Sequence, residues 1–194
     1  MSITVSVFVE SRDVLTMQCD VLILKYAQGL YGADQAVVNA LGLSNRDYEP
    51  LSPGKHLRVS TNGKLPCKVV LFVGVPRLWD FGYAEIREFS KTALSILAKE
   101  DCEKRSLAMT MHGVGYGLDE KEAFSAQVAG LMEYLQTPET AWLPATIAIV
   151  ERDENRAERI AAFLAEIQAT AGSIEALFNN RTRLNGNFSS IVYT

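Results

Sequence analysis

Six short segments of the chain have the residue pattern of β-strands. Residues 3–9 and 57–60 alternate between apolar and polar side chains, as strands with one exposed face do. Residues 19–24 and 69–75 are mostly apolar, which is typical of strands that are buried on both faces. Two further strands are predicted at residues 106–111 and 146–150.

Four other segments repeat apolar side chains at helical spacing. They cover residues 34–41, 83–99, 119–135 and 153–167. Asp34 places a carboxylate at the positive end of the first helix, and Gly42 is suited to end it. Asp119 with Glu122 predicts a reciprocal capping box, and Asp153 predicts the N-cap of the last helix.

The order of these elements predicts one α/β domain over residues 1–170. Strands and helices alternate in the second half of the chain, which favours a mixed, largely parallel sheet of about six strands covered on both faces. Residues 171–194 lack clear periodicity and form a C-terminal appendage, which is packed, partner-binding or disordered. Its apolar residues 191–193 are candidates for contacts with a second copy or a protein partner, or for a terminal strand.

Charge and cysteine content exclude several kinds of partner. A net charge of −4 over 194 residues argues against a surface for duplex nucleic acid, which needs clustered Lys and Arg. Cys19, Cys67 and Cys102 lack the spacing of a disulfide framework or a zinc motif, and we expect no metal and no cofactor. No apolar run has membrane-spanning length, and residues 3–9 do not resemble a signal peptide, so we expect a cytoplasmic protein.

A strand, a glycine-rich loop and a helix follow one another between residues 106 and 135. We call residues 113–117 the second glycine loop, because another such loop precedes it in the chain. Glycine stands at every other position in it: Gly113, Val114, Gly115, Tyr116 and Gly117. Glycine tolerates positive φ, so successive backbone N–H groups can converge on an anion, and the following helix adds its positive end. The pattern favours a phosphate site over a simple tight turn, but it is neither a Walker loop nor a dinucleotide fingerprint.

An earlier loop, the first glycine loop (residues 29–34), also joins a predicted strand to a helix N-terminus. Two such loops at one end of a parallel sheet would form a single crevice. Together they indicate a small phosphate-bearing ligand, a nucleotide. Lys25 and Gln28 lead into the first loop and are candidate ligand contacts, although solvated surface residues would explain them equally well.

Candidate catalytic residues are few. His112 lies beside the second glycine loop and could act as an acid or base, whereas a lone histidine at a strand end could equally be structural. Asp34, which begins the helix after the first loop, is the other candidate. Tyr31 and Tyr116 could each cover a ribose or a base, or fill their own loops.

Taken in order, these segments resemble the macro domain family and the related amino-terminal domain of leucine aminopeptidases. Residues 12–14 and 19–24 are similar to the family's Gly-Asp-Ile start and Asp-Ala-Ile-Val strand, and residues 32–37 to its Gly-Val-Asp-Gly-Ala-Ile. The central hairpin of the family resembles residues 53–55, 65–70 and 73–76, and its Ser-Thr-Gly-Val-Tyr-Gly loop and helix resemble residues 112–117 and 119–123. The likeness covers residues 2–168.

The resemblance implies a three-layer α/β/α fold that binds ADP-ribose or a related NAD-derived nucleotide. It implies that Asp13, followed by Val14, accepts the adenine amino group. It places Gly32, Ala33 and Asp34 near the distal ribose and phosphate, and wraps residues 113–117 around the diphosphate.

The chain departs from the family at three places. The family's Asn-Ala-Ala-Asn reads Lys25-Tyr26-Ala27-Gln28, its four-glycine run reads Leu30-Tyr31-Gly32-Ala33, and Val150-Glu151-Arg152 stands where many members stack an aromatic on adenine. The first departure favours a binding or sensing module without catalysis. The alternatives are a hydrolase of an ADP-ribosyl bond, with water positioned by Asp34 or His112, and a structural assembly module with a degenerate pocket.

Overall fold

The structure, a computed structural model, describes residues 5–44, 51–100, 106–137 and 142–171. Within these ranges the strands are β1 (Ser6–Ser11), β2 (Val21–Tyr26), β3 (His56–Ser60), β4 (Val69–Gly74), β5 (Ser106–Thr110) and β6 (Thr146–Glu151). The helices are α1 (Ala33–Leu41), α2 (Tyr83–Glu100), α3 (Glu120–Leu135) and α4 (Glu154–Ala171). The predicted appendage lies outside the described residues except for Ala171, so the domain division stays a prediction.

The strands form one sheet in the order β1-β6-β5-β2-β4-β3. Every neighbouring pair is parallel except β3 and β4, which are antiparallel. This is the mixed, largely parallel six-stranded α/β sheet that the residue pattern predicts, and the fold class is confirmed.

Helices cover both faces of the sheet. Apolar side chains of α2, α3 and α4, such as Phe89, Phe124 and Ile160, pack in one core cluster. Val37 and Leu41 of α1 pack in a second cluster on the opposite face. The three layers are therefore α2, α3 and α4, then the sheet, then α1.

The central strand β2 shows why its sequence is almost continuously apolar. Val21 and Ile23 belong to the first core cluster, whereas Leu22 and Leu24 belong to the second. Successive side chains of a strand point to opposite faces of the sheet. When both faces are covered, the residues that point to either face must be apolar. All six residues of β2, including the polar Lys25, are buried.

Helix ends follow the sequence predictions, with one correction. Gly42 ends α1 in the left-handed conformation at φ 68°, and Asp153 Oδ1 accepts the N–H of Arg156 at 2.8 Å. Asp119 Oδ1 accepts the N–H of Glu122 at 3.0 Å, as predicted. The prediction that the Glu122 side chain accepts the Asp119 N–H in return is wrong, since that N–H donates to the Tyr83 hydroxyl at 3.0 Å. The hydroxyl thereby joins the beginnings of α2 and α3.

Helices α2 and α3 touch at Gly130. A β-carbon added there would lie 2.0 Å from the Arg87 carbonyl oxygen, so only glycine allows this approach. Arg87 also pairs with Glu133 across the same contact. Among the described residues, no helix combines the length and apolar character that crossing a membrane requires.

Candidate functional site

The carboxyl ends of the parallel strands meet at one edge of the sheet, where a cavity of about 340 Å³ opens. Its walls come from the segment after β1, from the first turn of α1, and from the ends of β5 and β6. The lining residues are Arg12, Asp13, Val14, Leu15, Gly32, Ala33, Ala36, Thr110, Met111, Val150, Glu151 and Arg152. A concave site of this size suits a small organic ligand.

The topology explains why the cavity forms here. Adjacent parallel strands β2 and β5 lead to α1 and α3, which lie on opposite faces of the sheet. Chains that diverge to opposite faces leave a crevice beyond the strand ends, the usual ligand position in open α/β sheets.

The first turn of α1 supplies an anion-attracting wall. Gly32 precedes the helix at φ 53°, and it lines the cavity together with Ala33. The helix begins without a side-chain cap. The first backbone N–H groups of a helix have no acceptor within the helix. They carry partial positive charge and therefore favour phosphate or carboxylate oxygens.

Asp13 and Val14 form another part of the cavity wall. Asp13 caps a short 3-10 turn over Val14–Thr16, and its Oδ1 accepts the N–H of Leu15 at 2.9 Å. This hydrogen bond fixes the carboxylate at the cavity wall. The sequence-based prediction that Asp13 contacts the ligand agrees with its position, and its role toward adenine stays a prediction.

Two arginines flank the cavity, and only one is engaged elsewhere. Arg12 Nε lies 2.6 Å from Glu10 Oε1. Glu151 accepts hydrogen bonds from the Asp153 N–H at 2.8 Å and from Arg156 at 3.2 Å. In the part of the chain that the structure describes, Arg152 makes no salt bridge, so its guanidinium is available to a ligand.

Lys25 and Asp34 form an ion pair beneath this surface rather than at the cavity. Lys25 Nζ lies 2.6 Å from Asp34 Oδ2, and Asp34 is only 1% exposed. Burial raises the pKa of Asp34, and the nearby charge and hydrogen bond of Lys25 oppose that shift. Neither residue lines the cavity. The pair ties the end of β2 to the first turn of α1.

Gln28 is also used internally. Its Nε2 donates to the carbonyl oxygens of Leu51 at 2.6 Å and Val75 at 2.9 Å. Its backbone takes a positive φ of 55°. The side chain therefore joins the start of the first glycine loop to the segment before β3 and to the segment after β4.

The second glycine loop lies outside the cavity lining. Val114, Gly115 and Tyr116 form a 3-10 turn between Gly113 and Gly117, whose φ values are 102° and 94°. Thr110 and Met111, just before the loop, line the cavity instead. The predicted contact between residues 113–117 and a diphosphate stays a prediction.

His112 is a core residue. It is 2% exposed, and its ring packs edge-on against Phe89 with 4.7 Å between ring centroids. Burial, with a smaller effect from Lys25, lowers the pKa of His112 well below its usual value, so the ring is neutral near pH 7. Neither ring nitrogen has a hydrogen-bond partner among the described residues.

His112 belongs to a buried polar cluster with Lys25, Asp34 and Tyr116. The negative charge of Asp34 adds to burial in raising the pKa of Tyr116. Asp34 Oδ1 and Tyr116 Oη also lack partners within the described ranges. Unpaired buried polar atoms of this kind are commonly satisfied by ordered water.

Four of the twelve residues that line the cavity are ligand contacts that the sequence predicts, namely Asp13, Val14, Gly32 and Ala33. The other eight lie mostly at or just after the carboxyl ends of β1, β5 and β6. The strand-end rule would have indicated them, but only once the strand order was known. Across the described ranges, no group of three or more His, Cys, Asp and Glu residues could hold a metal ion.

No model of a known protein family matches the sequence, and no curated protein sequence matches it either. Solved structures do match. An aspartate-to-alanine variant of the Oceanobacillus iheyensis macrodomain aligns with a TM-score of 0.67 and 17% identity, covering 88% of this chain and 98% of that chain. The chain has the macrodomain fold. A further Oceanobacillus iheyensis macrodomain variant, solved with ADPR, aligns with a TM-score of 0.65 and 17% identity over 87% of this chain and 98% of that one.

A third macrodomain, from Trypanosoma brucei and in complex with ADP, aligns with a TM-score of 0.62 and 14% identity. The alignment covers 82% of this chain and 68% of that chain. These matches agree with the α/β/α arrangement of the macrodomain fold. The likeness to leucine aminopeptidase amino-terminal domains stays a sequence-based prediction.

Proposed function

We propose that this protein binds ADP-ribose or a related NAD-derived nucleotide in the cavity at the carboxyl edge of its sheet, as a binding or sensing module. The supporting observation is the combination, in one cavity, of a helix N-terminus without a side-chain cap, at Gly32 and Ala33, with Arg152, which forms no salt bridge to any residue that the structure describes. Two proteins of the same fold have been solved with ADPR and with ADP.

The two sides of the cavity suit different parts of a nucleotide. Val14, Leu15 and Val150 provide apolar surface beside the fixed carboxylate of Asp13, which suits a base with an amino group. The N-terminus of α1 suits phosphate oxygens. Arg152 can pair with a phosphate or lie against a base, because its planar guanidinium does both.

Binding is favoured over hydrolysis by the state of the polar residues. The Asp34 carboxylate is buried and paired with Lys25, the Gln28 carboxamide is bonded to two carbonyl oxygens, and His112 lies in the core. A general base must reach the water that it activates. None of these three side chains lines the cavity.

Isothermal titration calorimetry with ADP-ribose, ADP and NAD tests the proposal. We expect saturable binding that weakens at least tenfold in Arg152→Ala, since a hydrogen bond to a charged group is worth roughly 1.5–3 kcal/mol. Arg77→Ala is the matched control, because Arg77 is exposed and does not line the cavity.

The titration, a measurement of assembly size and a hydrolysis assay together separate the alternatives. No heat with any of the three compounds would contradict the proposal, and a large assembly that does not respond to nucleotides would favour the structural hypothesis. Release of ADP-ribose from a modified protein, lost in Asp34→Ala, would instead support the hydrolase hypothesis.

A further inference from the structure

Two buried cysteines face each other at the edge of the sheet opposite the cavity. Strands β2 and β4 pair in parallel, with Val21 opposite Val69. Cys19 and Cys67 lie two residues before these pairing positions, where both segments bend. Two backbone hydrogen bonds still join the segments there: the Lys68 N–H donates to the Cys19 carbonyl oxygen at 3.2 Å and the Val69 N–H donates to the Asp20 carbonyl oxygen at 3.1 Å.

The cysteines and their chain neighbours differ in exposure. Lys68 Nζ pairs with Asp20 Oδ1 at 2.6 Å, and the Lys68 side chain is largely exposed. Cys19 and Cys67, by contrast, both point inward. Both are buried in the core cluster on the α1 face of the sheet.

The two backbones are close enough for a disulfide. Segments joined by backbone hydrogen bonds of this kind run about 4.8 Å apart, which falls in the range of Cα separations of about 4.4–6.8 Å that disulfides require. The interaction between the two side chains lowers the pKa of the Cys67 thiol and raises the pKa of the Cys19 thiol. Both cysteines are free thiols in this structure.

We propose that Cys19 and Cys67 are an oxidation site at which a peroxide forms a reversible disulfide between β2 and β4. The Cys67 thiol gives up its proton, and its sulfur attacks the peroxide. An S–O bond forms, the O–O bond breaks, and one water leaves with that proton. The Cys19 sulfur then attacks the sulfenic acid sulfur, the S–S bond forms, and the hydroxyl group leaves with the Cys19 proton as a second water. Two thiols are oxidised as one peroxide is reduced. An added dithiol reduces the disulfide back to two thiols.

The disulfide would clamp the amino ends of two central strands without reaching the ligand cavity, which lies at their carboxyl edge. A crosslink stabilises a fold mainly by restricting the unfolded chain, more so when it closes a long loop. We therefore expect a more heat-stable protein with the same nucleotide affinity.

The test is peptide mapping of the folded full chain after treatment with hydrogen peroxide. Trypsin separates the cysteines into peptides 13–25, 65–68 and 100–104. We expect a linked species of peptides 13–25 and 65–68 that dithiothreitol abolishes. In parallel, the melting temperature should rise by roughly 5–15 °C.

Cys67→Ser and Cys19→Ser should form no such link and gain no heat stability, whereas Cys102→Ser should behave as the wild type. The wild-type peptide map decides the question even if a variant fails to fold. Free thiols at Cys19 and Cys67 after peroxide has oxidised Cys102, sulfinic acids at either position, or a link to peptide 100–104 would overturn the proposal.

Discussion

The two glycine loops leave neighbouring parallel strands at the same edge of the sheet, yet they face different surroundings. Gly32 and Ala33 of the first loop line the cavity on the α1 face. The second loop packs toward α2 and α3, where Tyr116 joins the other core cluster.

The cause of this difference is the helix that each loop enters. A β-carbon on Gly113 would lie 2.8 Å from the Ala123 side chain, so the second loop is held tightly against the beginning of α3. The first loop is held by the Lys25–Asp34 pair and by Gln28, while Gly32 and Ala33 line the cavity. Glycine content alone therefore does not decide which loop meets a ligand.

The largest effect is expected from breaking the ion pair that anchors the first loop. Lys25→Met leaves the Asp34 carboxylate buried without its partner, and unfolding by urea should show a loss of about 3–5 kcal/mol. The double variant Lys25→Met, Asp34→Leu should recover most of that stability. Lys68→Met, which breaks the exposed pair with Asp20, should leave stability unchanged. Equal losses at both sites would contradict the anchoring role.

Next in size is the effect of filling the cavity from α1. Ala36→Leu places a larger side chain in the lining, and ADP-ribose affinity should fall at least tenfold, about 1.4 kcal/mol, by calorimetry. Ala40→Leu is the matched control, because Ala40 lies one turn later on the same helix and is exposed. If both variants bind as the wild type does, the ligand does not occupy this cavity.

A smaller effect concerns His112 beside the second loop. Its folded-state pKa is lowered by burial, so below the ordinary histidine pKa near 6.5 the unfolded chain binds a proton that the folded chain does not. Stability should be fully present above pH 6.5 and fall as the pH drops, by up to about 1.4 kcal/mol per pH unit. His112→Phe should remove this slope between pH 6.5 and 5.5 when unfolding is followed by urea titration. An unchanged slope would show that His112 is not the responsible group.

The smallest effect is expected within the second loop itself. Gly115 is exposed, and a β-carbon there would meet nothing within 4 Å. Gly115→Glu should therefore leave ADP-ribose affinity within about twofold of the wild type, well below the tenfold change that 1.4 kcal/mol represents. Loss of binding would mean that the loop closes over the diphosphate and repels it through the new carboxylate, as the resemblance implies.

Local patterns predicted the elements well because each depends on a few neighbouring residues. The apolar run ending in Leu24 and the glycine at position 42 announce a buried strand and a helix end, whatever the rest of the chain does. The missing half of the capping box depends on Tyr83, which lies 36 residues before Asp119. No local pattern could have indicated that partner.

The site was harder to predict because strand order and helix placement decide it. Arg12 and Arg152 meet at one cavity only because β1 and β6 are neighbours in the sheet. The sequence likewise indicates that Lys25 and Asp34 lie near a loop, but not that their side chains turn inward and pair. Spacing along the chain does not record which face of the sheet a helix covers.

Backbone amide chemical shifts, recorded while ADP-ribose is added to the full chain, locate the nucleotide site residue by residue. We expect the largest changes at residues 13–15, 32–36 and 150–152, with small changes at 113–117. Largest changes confined to residues 113–117, or no changes at saturating ligand, would contradict the proposed site.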